Sequence, residues 1–381
     1  MPGKIILPGS TIGILGGGQL GRMTAIEGRK MGYRIICLDP TPDCPCGQVA
    51  DDQIVAALDD VAAAIRLAER SDVLIYEFEN IDVRLVEELE RSYYLPQKSH
   101  VLSVAQNRIL EKQQLEKAGF PVVPFVIVRN IEDLKIGTAQ IGYPGVLKTA
   151  TGGYDGKGQF VLNNPQDFSK AAELVQSHDN IWVLEKKISL TQEISVIVAR
   201  EEAGGMAVYP VSENIHRENI LHITVVPARI SPQRESMAIE ITRGIAQYFK
   251  LVGVLAVEFF VTPQGLLVNE IAPRPHNSGH YTLDACFTSQ FEQLIRAVCG
   301  LPLGSTQLMT PAVMINILGS TLPKILENIP NFSGDVKIHL YGKHGNPAPK
   351  RKMGHLLFKT DCPVQTDKII KKFWDDGQWV T

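Results

Sequence analysis

Residues 258–277 read EFFVTPQGLLVNEIAPRPHN and put acids, an amide and bases close together. Two apolar, β-type runs flank Thr262-Pro263-Gln264-Gly265, a connection with the Pro and Gly of a turn. Glu258 lies on the first run; Asn269 and Glu270 lie on the second. Their even spacing sets both carboxylates on one side only if the turn pairs the strands in that register. Two carboxylates so placed repel and raise each other's pKa until a cation joins them. Mg²⁺ takes hard oxygen ligands and commonly uses one or two carboxylates with nucleotide phosphates. The alternative is two solvated acids on a hairpin. Downstream, Pro273 and Pro275 stiffen the chain around Arg274, His276 and Asn277. The expectation is that 274 and 276 project to one side, near the metal. An Arg fork there suits an anionic oxygen pair; its alternative is an ion pair with Glu270 or another carboxylate.

Two glycine-rich stretches carry further chemistry. In 151–159, TGGYDGKGQ, Gly152, Gly153, Gly156 and Gly158 surround Lys157, with Lys148 just before. A loop with many N–H donors and a mobile cation suits covering a polyphosphate. It is not a Walker A loop, because Thr151 and Gly158 stand where that pattern needs Gly and Ser/Thr. Near the N-terminus, Gly16, Gly18 and Gly21 fit G-x-G-x-x-G between a strand at 11–15 and a helix at 20–31. A strand at 33–38 then ends at Asp39. This unit fits NAD or FAD, a phosphate of some other ligand, or a structural turn. Glu77-Phe78-Glu79-Asn80 follows a strand at 72–76, at the end where open α/β sheets bind ligands. His216 sits in the polar segment SENIHRENI and reads as a surface residue. Lys343, His344, Lys350, Arg351 and Lys352 form a basic loop that could close over an anion.

The elements that must hold these groups follow from periodicity. Helices are expected at 59–70, 81–91, 106–118, 165–177, 235–249, 281–299 and 366–374. Further strands are expected at 125–128, 145–149, 181–187, 193–199, 206–211, 221–226, 312–317, 336–340 and 355–359. A chain of 381 residues suffices for two or three domains. A net charge of −3 gives no case for nucleic acid or an anionic membrane. The six cysteines are scattered, without C-x-x-C, as in a reducing cytosol. The N-terminus has no signal-peptide core, and no apolar run reaches the roughly 18 residues of a membrane span.

GGGQLGRM, EFEN, GGYDGKGQ, Glu185, EFF…NEIAPRPHNSGH and RKMGH occur in this order. With these motifs the chain resembles, over nearly its full length, the 5-(carboxyamino)imidazole ribonucleotide synthetases, ATP-grasp enzymes of de novo purine biosynthesis. The resemblance implies an α/β and α+β architecture. A Rossmann-like pre-ATP-grasp domain would span 1–107, a central lid subdomain 108–187, and a C-terminal ATP-grasp domain 188–381. It implies that Arg108 and Lys148 contact ATP and that Gly153, Tyr154, Asp155, Gly156, Lys157, Gly158 and Gln159 cover its phosphates. Glu185, Lys186, Lys187 and Ile188 would form the adenine hinge, Glu193 would hold the ribose, and His216 would bind nucleotide. Glu258, Asn269 and Glu270 would hold a pair of Mg²⁺ ions and the phosphates. Gln19, Leu20 and Glu79 would line the site for 5-aminoimidazole ribonucleotide. Tyr154, Asp155, Arg274, His276, Asn277, Lys343 and Arg351 would surround that nucleotide and bicarbonate. The implied reaction carboxylates the aminoimidazole amine through carboxyphosphate, or CO₂ released from it. His276 or Asp155 would manage the proton, and a cytoplasmic homodimer would carry the activity. One departure concerns Lys343: the loop reads PAPKRKMGH where the family has PRPGRKMGH, after a connection one residue longer. Alternatives are another ATP-grasp ligase such as the formate-dependent glycinamide ribonucleotide transformylase, a Rossmann dehydrogenase, or a nucleotide-binding regulatory protein without turnover.

Overall fold

The computed structural model describes residues 4–152, 158–177, 180–345 and 347–374. Three sheets organise them. The first is parallel, in the order Asp52–Val55, Arg34–Asp39, Thr11–Leu15, Val73–Tyr76. Its inner strands are apolar between their ends, with Ile35–Leu38 and Ile12–Leu15 buried, as a sheet covered on both faces requires. The helix Gln19–Lys30 starts two residues past Gly17, so the glycine loop and residues 77–80 meet at the sheet's C-terminal edge. The second sheet has four antiparallel strands, Phe125–Val128, Trp182–Lys186, Gly145–Thr149 and Gln159–Leu162. The third has nine strands, with the hairpin Gly253–Thr262 and Gly265–Ala272 at one edge and Lys337–Leu340 at the other. Among the described residues, no helix is long and apolar enough to cross a membrane.

The hairpin register differs from a simple reading of its turn. Thr262 pairs with Gly265, and that register would set Glu258 opposite Asn269. A bulge between Glu258 and Phe259 takes up Asn269 as the extra residue, so Glu258 stands directly opposite Glu270. Bulges re-aim side chains in this way beside functional sites. The acids meet because of the bulge, not because of their even spacing.

Other expectations are corrected. The helix expected at 281–299 is two, Thr282–Ala285 and Gln290–Val298. Between them Phe287 N–H donates to Gln307 O (3.0 Å) and Thr288 N–H to Ser305 O (3.1 Å). This strand-like pairing takes the backbone groups that a continuous helix would use. Ser289 then caps the second helix by accepting from Glu292 N–H. The helix expected at 106–118 is Arg108–Lys117, capped by Asn107, and a separate helix, Ser99–Ala105, precedes it. The polar segment around His216 is the strand Ser212–Arg217, held between two neighbours inside the large sheet.

Candidate active site

The cations of the central region converge on Glu185. Its strand lies beside that of Lys148, with Val146 opposite Glu185 and Val183 opposite Lys148, so the two side chains are diagonal neighbours. Lys148 Nζ reaches Glu185 Oε2 at 2.7 Å. From the helix Arg108–Lys117, Lys112 Nζ lies 3.1 Å from Glu185 Oε1 and Arg108 Nη1 3.8 Å from it. Burial pushes the Glu185 carboxyl up, but Lys112, Lys148 and Arg108 outweigh it and hold the group down at about 2. Burial lowers the Lys148 ammonium against the pull of Glu185. The Glu185 side chain therefore organises cations and is buried beneath them. Lys186 N–H and Lys187 N–H donate to Pro124 O and Pro144 O, which fixes the strand end that continues to Ile188.

Arg108 also bridges to the hairpin, with Nη2 3.9 Å from Glu270 Oε2. Burial and the facing Glu270 push the Glu258 carboxyl up to about 7, with His216 opposing. Asn269 Oδ1, at the bulge, is buried without a hydrogen-bond partner. Two opposed carboxylates and an unpartnered amide oxygen are the donor set a hard cation takes. Among the described residues no three His, Cys, Asp or Glu side chains gather as a self-sufficient metal site. The hairpin oxygens thus fit Mg²⁺ shared with nucleotide phosphates. Glu193 and His216 come together, Nδ1 to Oε2, at 3.1 Å on neighbouring strands. His216 is largely buried rather than on the surface.

The stretch after the hairpin splits its side chains. His276 Nε2 lies 3.4 Å from Glu258 Oε1. Its Nδ1 accepts from Ser278 N–H (3.3 Å), and Ser278 Oγ lies 2.9 Å away. Burial and Arg274 lower the imidazole well below its ordinary range, so the ring is neutral with its proton on Nε2, toward Glu258. Arg274 turns instead to Glu79 Oε1 at 3.0 Å, its Nη1 donating to Pro275 O. This corrects the expectation that 274 and 276 share one side: one serves the hairpin acids, the other the N-terminal sheet. Asn277 is buried in a reciprocal amide pair with Asn316.

At the glycine loop, Gly17 N–H donates to Asp39 Oδ2 (2.9 Å), and Gly18 N–H and Gly21 N–H donate to the two oxygens of Glu77. A Cβ on Gly18 would lie 2.7 Å from Glu77 Oε1. The chain's own carboxylates fill the positions that a dinucleotide pyrophosphate and ribose would take. Leu20 packs with Met23, Phe291 and Tyr341. Gln19 meets the basic loop: Lys343 Nζ donates to Gln19 Oε1 and to Lys352 O. Lys343 and Gln19, both expected around the aminoimidazole nucleotide, thus lie side by side. Arg351 Nη1 donates to His344 O (3.1 Å), and His344 closes on Asp43. Lys350 pairs with exposed Glu218. Gly158 and Gln159 lead into a strand, with Gly158 O accepting from Thr149 N–H. Gly153, Tyr154, Asp155, Gly156 and Lys157 lie outside the described residues.

Sequence reasoning missed Lys112 and Glu77. Lys112 stands four residues after Arg108, on the same helix face; that spacing was the available signal. Glu77 was read within EFEN, but nothing in the motif tells which acid turns inward.

The sequence matches the ribonucleotide synthetase preATP-grasp domain over residues 9–106, the ATP-grasp domain over 113–291, and the phosphoribosylaminoimidazole carboxylase C-terminal domain over 312–363. The N5-carboxyaminoimidazole ribonucleotide synthase of Bacillus subtilis is 48% identical over 382 residues, covering 99% of this chain and 100% of its own. The chain belongs to the N5-carboxyaminoimidazole ribonucleotide synthase family. It is therefore an ATP-grasp ligase. The Staphylococcus aureus family member is 43% identical over 362 residues, 94% of this chain and 95% of that one. A solved family member in complex with ADP superposes with a TM-score of 0.93 at 50% identity, covering 97% of each chain. The Aspergillus clavatus synthase, solved with ADP and 5-aminoimidazole ribonucleotide, superposes with a TM-score of 0.87 at 28% identity, over 96% of this chain and 98% of that one.

Proposed function

We propose that this chain uses ATP and bicarbonate to carboxylate the amino group of 5-aminoimidazole ribonucleotide, giving N5-carboxyaminoimidazole ribonucleotide, ADP and phosphate. The observation that carries the reading is the continuity of the site. Arg108–Glu270, His276–Glu258 and Arg274–Glu79 link the cation cluster, the hairpin acids and the N-terminal sheet in one series of contacts. Two substrates bound at its ends would meet over the hairpin.

A bicarbonate oxygen attacks the γ-phosphorus of ATP, the bond to the β-phosphate oxygen breaks, and ADP leaves. The carboxyphosphate so formed meets the amine nitrogen at its carbon, directly or as CO₂. The C–O bond to phosphorus breaks, phosphate leaves, and the amine gives up a proton. Arg108 and Lys148 hold the polyphosphate and meet the charge that develops on the transferring oxygens. Glu258, Asn269 and Glu270 would hold Mg²⁺, which supplies further neutralisation of those oxygens. Glu193 and His216 serve the nucleoside of ATP, beside the hinge at 185–188. Gln19, Leu20, Glu79 and Arg274 orient the aminoimidazole nucleotide, and Lys343 and Arg351 take its phosphate. His276 is neutral, and its Nδ1 takes the amine proton only once the Ser278 hydrogen bond gives way; Asp155 is the alternative. Gly153, Tyr154, Asp155, Gly156 and Lys157 would cover the phosphates and keep water from carboxyphosphate.

Phosphate release that requires both bicarbonate and 5-aminoimidazole ribonucleotide is the expected result. Release supported by formate and glycinamide ribonucleotide would transfer the chain to the transformylase reading, and nucleotide binding without any turnover to the regulatory one. A homodimer is part of the proposal, and sedimentation of the purified chain tests it. The six free cysteines support a cytoplasmic location. Boundaries near 107/108 and 187/188 are supported by the separate sheets, and limited proteolysis tests them.

A further inference from the structure

Three cations gather on Glu185, and they are not equivalent. The side chains of Arg108 and Lys148 are 15% and 11% exposed, so both still reach the surface. Lys112 is 1% exposed and does not. Its ammonium faces Glu185 Oε1, the oxygen that Arg108 also approaches. Arg108 hangs between two acids, 3.8 Å from Glu185 and 3.9 Å from Glu270, at close ion-pair range to neither. Glu111, on the same helix, is buried and accepts from Ile271 N–H at 2.6 Å, so it fixes the strand end after Glu270.

We propose that Lys112 is a positioning residue for ATP: it neutralises Glu185 from the buried side, so that Arg108 and Lys148 keep their charge for the polyphosphate. Glu185 faces three cations, so with Glu270 also beside Arg108 the cluster keeps a net positive charge at the site's edge. Without Lys112 the Glu185 Oε1 charge is uncompensated in a buried setting, where charge pairs are strongest. It then draws the Arg108 guanidinium inward, away from Glu270 and the phosphates. Lys112 itself touches no substrate. Its effect passes through Glu185, and removing both charges together restores the balance. The inference rests on the reading of Arg108 and Lys148 as ATP contacts.

The test is a double-mutant cycle of Lys112→Met and Glu185→Gln in the full chain. In Lys112→Met the KM for ATP is expected to rise about tenfold, with kcat and the KM for aminoimidazole ribonucleotide within about threefold of the parent. In the double variant the KM for ATP is expected to return to within about threefold of the parent. A single variant with unchanged KM for ATP overturns the inference, and so does a double variant as impaired as the single. Where Lys112→Met fails to accumulate, the double variant decides alone: a KM for ATP about tenfold above the parent overturns it. Lys148→Ala is the control for the underlying reading. Unchanged ATP affinity in Lys148→Ala would remove that reading, whereas an effect there without one in Lys112→Met would remove only this inference.

Discussion

Glu270→Gln separates stability from activity, because the same carboxylate that the reaction needs is a burden to the ligand-free fold. Glu258 and Glu270 are directly opposed across the hairpin. Side chains so placed have Cβ atoms about 5 Å apart, and two charges at that distance repel by about 3 kcal/mol at an effective dielectric of 20. Glu270 is 44% exposed, so solvent screening reduces this to on the order of 1 kcal/mol. Glu258's folded-state pKa, about 7, stands above its ordinary 4.5. The folded state thus binds the extra proton, and the cost is absent below about pH 4.5 and fully present above about pH 7. Arg108 keeps Glu185 as a partner when Glu270 is neutralised. At pH 8, without Mg²⁺ or nucleotide, Glu270→Gln is expected to melt about 1–2 °C above the parent, and at pH 4.5 the difference should vanish. Turnover, which needs the cation that the pair holds, should fall by at least about two decades. Calorimetry at the two pH values, beside phosphate release at saturating Mg²⁺, reads both effects. A variant that melts no higher than the parent at pH 8 and turns over within about threefold of it would refute the reasoning.

Other expectations follow from single contacts. Arg274→Lys keeps the charge but loses the fork that joins Glu79 to Pro275 O; turnover should drop about tenfold with ATP affinity by calorimetry unchanged, and equal losses in both would place Arg274 at the nucleotide. Burial, with Arg351 and Lys352 and against Glu77, lowers the Lys343 ammonium to about 8; the KM for aminoimidazole ribonucleotide should therefore rise as pH climbs through about 8, and Lys343→Arg should move that rise upward by more than about one pH unit. A pH-independent KM between 7 and 9, taken as roughly the window around that value, would remove Lys343 from the nucleotide phosphate. Lys157→Ala should weaken ATP binding by about one to two decades while leaving adenosine binding alone; equal losses would mean that its loop does not cover phosphates.

The donor set of the hairpin was legible because residue types alone carry it: two acids, an amide and a turn. Its register was not, since a bulge is a property of the paired strands and Asn269 carries no mark of it. The motifs in order pointed to the family, and the comparisons bear that out. His216 was misread from its neighbours, since a polar segment inside a sheet looks like a loop when its buried partners, Ser195 and Thr224, come from other strands. The helix at 281–299 failed for a related reason: its interruption is made by residues 305–309, whose pairing with 285–288 no local pattern announces. The direction of Glu77 and the cluster on Glu185 depend on side chains converging from separate elements, and only the fold brings those together.

In the proposed reaction a bicarbonate oxygen attacks ATP and the carbon then passes to the amine. Turnover with ¹⁸O-labelled bicarbonate, followed by mass analysis of the released phosphate, tests it directly. Bond cleavage between carbon and the bridging oxygen leaves that oxygen on phosphorus, so one labelled oxygen per phosphate is the expected result. Unlabelled phosphate, released at the rate of amine carboxylation, would contradict the account.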